Sequence, residues 1–142
     1  MIVYPDSSFL VSSYTADSHS SQADIQMALS PTLLITPFVR AEFCAAIYQQ
    51  IFHKRALSLQ VDQVWLDFER DCADGGLSRI EFPLLALDRC TDLAKLYGPT
   101  LGLRTLDTLH VACALELSAQ KFWTFDDRQA KLAEAVGLDT TA

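Results

Sequence analysis

The sequence predicts an α/β fold of three layers, with a short central parallel sheet of four or five strands between two helical layers. Three observations carry that reading. Brief apolar runs alternate with longer segments of helical periodicity, the pattern of a parallel sheet with covered faces. Proline and glycine punctuate the boundaries between them. No repeat, low-complexity tract or linker-like stretch interrupts the chain, so residues 1–142 read as one domain with a real core.

The elements follow in order. Ile2–Tyr4 is a first strand broken by Pro5, which has no N–H for a ladder. Ser7–Tyr14 and Ser20–Leu29 read as helices, and Thr32–Thr36 as an apolar strand between Pro31 and Pro37. Thr36 then caps a helix with Pro37 at its first position, running to about Arg55. Val61, Val64, Trp65, Phe68 and Cys72 recur at helical spacing, which predicts a helix over Leu59–Ala73, ended by Asp74-Gly75-Gly76. Leu77–Phe82 alternates like a strand, Pro83 opens a helix to about Tyr97, and Gly98–Gly102 reads as a loop. Thr105–Leu117 is helical, Lys121–Phe125 a strand and Arg128–Val136 the last helix. Leu138–Ala142 is compatible with a stub strand or with an irregular tail.

The apolar runs are too short to cross a membrane, and Met1–Ser8 lacks the charged and apolar regions of a secretory signal. The expected location is therefore cytoplasmic. Cys44, Cys72, Cys90 and Cys113 lack the short spacings of a zinc site, and Cys44 and Cys113 read as small buried hydrophobes. A net charge of −7, from 18 acids and 11 bases, argues against generic nucleic-acid affinity. Bound divalent cations or local basic clusters such as His53-Lys54-Arg55 would offset it, and an acidic body suits a basic protein partner.

Four acids stand at the ends of strands or in the early turns of helices: Asp6, Glu42, Asp107 and Asp126. Ligands of open parallel sheets bind at the carboxyl ends of strands, where Asp6 and Asp126 fall. Each acid also has a structural role open to it. Asp6 can cap the Ser7 helix, and Asp126 the final helix with Gln129 reaching back in a capping box. Asp107 can answer a helix dipole. Glu42, two turns into its helix on a face turned toward the core, is the hardest to account for structurally. Gathered together, four carboxylates would need raised pKa values or a bound hard cation, for which Mg²⁺ or Mn²⁺ is the match.

In this order, Asp6-Ser7-Ser8, Arg40-Ala41-Glu42, Leu106-Asp107-Thr108-Leu109-His110-Val111-Ala112 and Thr124-Phe125-Asp126 resemble the PIN domain family, specifically the VapC-type ribonuclease toxins of bacterial toxin–antitoxin pairs. The resemblance runs from Met1 to about Leu138. It implies a PIN-like fold and a metal-dependent endoribonuclease. RNA phosphodiesters would be hydrolysed by a water activated by Mg²⁺ or Mn²⁺. Asp6, Glu42, Asp107 and Asp126 would form the acidic quartet, with Asp6, Asp107 and Asp126 as metal ligands. By the same resemblance Ser8 and Thr124 support the site, the chain forms a homodimer, and a small antitoxin inserts a basic segment into the acidic site. The chain departs from the family pattern in Pro5 before the first Asp, in Asp127 beside Asp126, and in a tail ending at Ala142, where relatives often add a strand. The Thr-Phe-Asp register favours Asp126 over Asp127.

Arg40, Arg104 and Arg128 are candidates for RNA contact, alongside Lys54 and Arg55; solvated surface is the commoner fate of such residues. His110 reads as a packed, hydrogen-bonded histidine rather than a ligand, and Trp65 and Trp123 as core or dimer-seam residues. Two other functions fit less of the chain. A phosphatase-like Rossmannoid with Asp6 as nucleophile would want an acid where Ser8 stands, and a well-placed lysine. A non-catalytic PIN-like binding module would use the acidic pocket only to receive a basic peptide.

Overall fold

The computed structural model describes residues 1–142. Four strands and seven helices follow one another: β1 (Ile2–Pro5), α1 (Ser7–Tyr14), α2 (Ser20–Met27), β2 (Thr32–Ile35), α3 (Pro37–Phe52), α4 (Ser58–Ala73), β3 (Ser78–Arg79), α5 (Leu85–Leu101), α6 (Thr105–Glu116), β4 (Lys121–Trp123) and α7 (Asp127–Ala135). The strands form one parallel sheet in the order β3-β2-β1-β4. The chain thus builds outward from β1 through β2 to β3, then returns to place β4 on the other side of β1. That reversal puts a crevice beyond the carboxyl ends of β1 and β4.

Register fixes what meets in that crevice. Val3, Tyr4 and Pro5 pair with Lys121, Phe122 and Trp123, so β1 and β4 end side by side. Pro5 closes β1 as its last residue, and the Asp6 N–H carries the ladder to β4 one step further with a bond to Trp123 O at 3.0 Å. Val3, Tyr4, Leu33 and Phe122 are fully buried or nearly so, as strands covered on both faces must be. Helices α1 to α4 pack against one another as one layer, and α5, α6 and α7 as the other.

Several boundaries differ from the sequence reading. The strand expected over Leu77–Phe82 is Ser78–Arg79 alone, since only these two pair, with Leu34 and Ile35. The helix expected to open at Pro83 starts at Leu85 and runs through Gly98 and Pro99 to Leu101, where a loop was expected. Pro99 sits in the last turn, where the Gly102 N–H still bonds Gly98 O and Gly102 ends the helix in a left-handed conformation. Strand β4 stops at Trp123, because Thr124 and Phe125 leave the ladder to bond within the site. Residues beyond α7 do form a stub: Lys121 bridges Asp139 in parallel, and Trp123 Nε1 donates to Thr141 O at 3.0 Å.

The buried stripe of α3 is Val39, Phe43 and Ile47, spaced one turn apart. Cys44 lies off that stripe and is only partly buried, a correction to its reading as a core residue, whereas Cys113 is fully buried. All four cysteines are free. Phe43 packs on Phe68 at 4.7 Å and on Tyr14 at 5.6 Å between ring centroids, tying α1, α3 and α4 together. Trp123 is buried in the core, while Trp65 is partly buried, with the Arg40 guanidinium 4.9 Å above its ring. No helix is long and apolar enough to cross a membrane.

Phe43 adjoins Glu42 and anchors α3, so this packing sets where Glu42 stands. Phe43→Ala should destabilise the protein by about 3–5 kcal/mol through lost burial and a residual cavity. Urea denaturation monitored by circular dichroism measures the loss; a change below about 1 kcal/mol would mean that the aromatic cluster does not hold α3.

Candidate active site

Asp6 leaves β1 in extended conformation and caps α1, accepting the Phe9 N–H at 2.9 Å. It is fully buried. Ser8 Oγ donates to the same oxygen, Oδ1, at 2.7 Å, and Thr124 Oγ1 donates to Oδ2 at 2.6 Å. Thr124 in turn accepts the Asp126 N–H at 2.9 Å, which links the ends of β1 and β4 through one hydroxyl. Burial pushes the Asp6 carboxyl above its ordinary range; nearby His110, the two hydroxyls and the Phe9 N–H oppose this without cancelling it.

Glu42 reaches the same place from α3. Its Oε1 accepts from Ser7 Oγ at 3.2 Å and makes a short hydrogen bond to His110 Nε2. His110 is buried, stacks on Phe38 with centroids 4.3 Å apart, and meets the Tyr4 hydroxyl at Nδ1, 2.9 Å away. A carboxylate can only accept, so Nε2 carries a hydrogen. Burial acts to raise the Glu42 pKa, yet the His110 hydrogen bond and charge, Ser7 and Arg104 together hold it below the ordinary range. His110 is thus packed and hydrogen-bonded, and it also orients Glu42.

Asp107 lies in the first turn of α6 and is nearly buried. Its Oδ2 accepts from Arg104 Nε at 2.8 Å and its Oδ1 from Gln129 Nε2 at 3.1 Å. Asp126 caps α7, taking the Gln129 N–H at 3.0 Å on Oδ1, while its Oδ2 lies 3.8 Å from Arg104 Nη2. The Gln129 side chain therefore does not reach back to the Asp126 backbone in a capping box; it crosses to Asp107 instead.

All four acids line one cleft of about 430 Å³ with Ser7, Ser8, Arg104 and Gln129. A water takes up roughly 30 Å³, so the cleft admits a nucleotide-sized group and not merely one ion. Asp17 adds a fifth carboxylate to the lining, against one arginine. Asp126 lines the cleft and Asp127 does not. Arg128 is exposed and outside the lining, and Arg40 pairs with Glu69 at 2.8 Å beside a separate cleft. Two participants escaped the sequence reading, Gln129 as a side-chain donor to Asp107 and Arg104 as its ion-pair partner. An arginine three residues ahead of an early helical acid is a spacing that signals such a pair.

The donor set suits a hard cation, being carboxylate oxygen with no thiolate. No three acidic, histidine or cysteine side chains converge as a ready coordination sphere, however. Protein donors hold these oxygens instead: Arg104 and Gln129 on Asp107, Ser8 and Thr124 on Asp6. The buried Oε1 of Gln129 has no partner at all. Such an orphan costs on the order of 1–3 kcal/mol, and a ligand bearing a donor would satisfy it.

The family model described as "PIN domain" matches residues 3–135. No curated protein sequence matches. Among solved structures, VapC20 of Mycobacterium tuberculosis, a Sarcin–Ricin loop cleaving toxin, superposes with a TM-score of 0.71 at 12% identity, covering 98% of each chain. VapBC2 from Rickettsia felis, bound to a DNA fragment from their promoter, gives 0.66 at 18% identity over 99% of this chain and 98% of that one. FitAcB from Neisseria gonorrhoeae gives 0.68 at 12% identity over 100% and 97%. At these identities the likeness is one of fold.

The raised pKa of Asp6 makes a prediction about stability. A carboxyl raised in the folded state favours folding at low pH, and that benefit is lost as pH rises through the folded value. In metal-free buffer Asp6→Asn should therefore melt at or above the wild-type temperature near pH 7, with the advantage shrinking as the buffer is made acidic. Calorimetry across pH reads this. A variant clearly less stable at pH 7 would mean that hydrogen bonds to the charged carboxylate outweigh its burial.

Proposed function

The chain belongs to the PIN domain family, and from that premise we propose that it is a metal-dependent endoribonuclease of the VapC toxin type. The observation that carries the proposal is the meeting of Asp6, Glu42, Asp107 and Asp126, from four separate elements, in one cleft at the carboxyl ends of β1 and β4. Asp6, Asp107 and Asp126 would hold Mg²⁺ or Mn²⁺, which supplies charge neutralisation at a phosphate and lowers the pKa of a water.

The chain's own groups do the rest. Ser8 and Thr124 keep both Asp6 oxygens oriented, and Gln129 holds one oxygen each of Asp107 and Asp126. Glu42, fixed by His110 and kept below the ordinary carboxylate range, is ionised and would accept a hydrogen bond from an attacking water and orient it. Arg104 stands at the cleft for a phosphate, and Arg128 is exposed at the start of α7. Arg40 would have to leave Glu69 to reach RNA.

A small antitoxin with a basic inhibitory segment is the proposed protein partner. The net charge of −7 and the acidic cleft support it, as does the VapBC2 neighbour. For the homodimer, support comes from Leu84, Leu85, Leu87 and Leu96 in and just before α5, with Leu106 on α6, all exposed. RNA and antitoxin together imply the cytoplasm. A phosphatase-like reaction at Asp6 has less support, since Ser8 follows where a second acid is wanted and the cleft lining contains no lysine.

Purified protein, freed of any partner, should cleave structured RNA with Mg²⁺ or Mn²⁺ and stop when EDTA is added. Asp6→Asn and Asp107→Asn should each slow cleavage on the order of 100-fold or more while keeping the wild-type circular dichroism spectrum. A panel containing a sarcin–ricin stem-loop, total tRNA and rRNA, resolved on denaturing gels, is the assay. Full cleavage by both variants would end the proposal; no cleavage by wild-type protein, with intact metal binding, would favour the non-catalytic binding module.

A further inference from the structure

One cation already stands among the carboxylates, and it belongs to the chain. Arg104 Nε donates to Asp107 Oδ2 at 2.8 Å, and Nη2 lies 3.8 Å from Asp126 Oδ2. The remaining oxygens of these two acids are held from the other side by Gln129, through Nε2 on Asp107 Oδ1 and the backbone N–H on Asp126 Oδ1. The two sets of bonds differ in kind. Gln129 is buried and uncharged, so its bonds orient the carboxylates and can persist beside a bound ion. Arg104 carries a positive charge on a side chain that is 64% exposed and lines the cleft, and it meets the other oxygen of each acid, Oδ2. A guanidinium in contact with Oδ2 and a divalent ion on the same oxygen would be like charges a few ångströms apart, so one must leave.

Arg104 can leave without disturbing the fold. It precedes α6 as its cap residue, in extended conformation, and makes no side-chain capping bond. It lies just past Gly102, whose left-handed backbone ends α5. Its side-chain partners are carboxylates of the cleft alone.

Resting on the reading of this cleft as a metal-dependent nuclease site, we propose that Arg104 is an exchangeable counter-ion: it bridges Asp107 and Asp126 until a divalent cation arrives, then yields Oδ2 and turns its guanidinium to a phosphate at the cleft mouth. While in place it relieves the repulsion between the two acids and keeps them aimed. Displaced, it is a planar fork suited to phosphate oxygens. Metal and phosphate binding are thereby coupled, because the cation frees the arginine and a phosphate keeps it away from Asp107. The coupling works equally in both directions.

Titration of Mn²⁺, with the free ion followed by electron paramagnetic resonance, tests the exchange on wild type, Arg104→Ala and Arg104→Lys. An exposed ion pair that must be broken weakens metal binding by up to about fivefold, so R104A should bind Mn²⁺ tighter by that order, with R104K nearer wild type. Loss of a merely structural residue would move the affinity the other way. In ¹⁵N spectra of arginine side chains, the Arg104 Nε–H signal, protected by Asp107, should lose protection as Mg²⁺ saturates and regain it at a new shift when inorganic phosphate is added. R104A binding Mn²⁺ no tighter than wild type, or an Arg104 signal unmoved at saturating Mg²⁺, overturns the exchange and leaves the metal site standing. Absence of Mn²⁺ binding in every variant overturns both.

Discussion

A fully buried carboxylate at the end of the central strand is the constraint from which the rest of this molecule follows. Asp6 cannot stay there unless its oxygens are met, and they are met from three directions: the first turn of α1, Ser8, and Thr124 beyond β4. The first two donors are local to Asp6, but Thr124 reaches it only if β4 lies beside β1 in the observed register, with Pro5 opposite Trp123. The parallel order β3-β2-β1-β4 satisfies that condition, and the same order opens the crevice in which Glu42 and Asp107 arrive from α3 and α6.

Capping and chemistry are not competing explanations of these acids. Asp6 caps α1 and Asp126 caps α7 through one oxygen each, while the second oxygen meets a side chain of the site, the Thr124 hydroxyl for Asp6 and the Arg104 guanidinium for Asp126. Helix N-termini concentrate partial positive charge, which helps retain carboxylates close together. The local device that starts each helix is also what aims its acid. Glu42 has no such role in its own helix. It is held instead by a buried relay from Tyr4 through His110.

Much of this was legible in the residues, for reasons that are local. Thr36-Pro37 marks a helix start by its own chemistry, and alternation of apolar runs with helical stripes marks a covered parallel sheet. What was not legible depends mostly on partners distant in sequence, and at Pro99 on where within the last turn the proline falls. Strand β3 is two residues long because only Leu34 and Ile35 offer it a ladder. Pro99 stays helical because it falls in a last turn closed by Gly102. Gln129 has the spacing of a capping box, but Asp107, brought close by the packing of α6 on α7, takes its side chain. The placement of the four acids could be anticipated from strand ends and helix starts. Of the ties among them, the Arg104–Asp107 pair is carried by its spacing, whereas those from Gln129 and His110 to acids distant in sequence could not be read there.

The short run from Asp139 to Thr141 hooks over β4, with Phe122 N–H bonded to Asp139 O at 2.9 Å and Trp123 Nε1 to Thr141 O. At the opposite margin the sheet ends in a two-residue strand. Neither border offers a long row of unpaired peptide groups, the template on which foreign strands add and amyloid-like stacking begins. Strand addition therefore has little backbone to build on at either border, and the side chains on the helices form the larger share of the surface open to a companion.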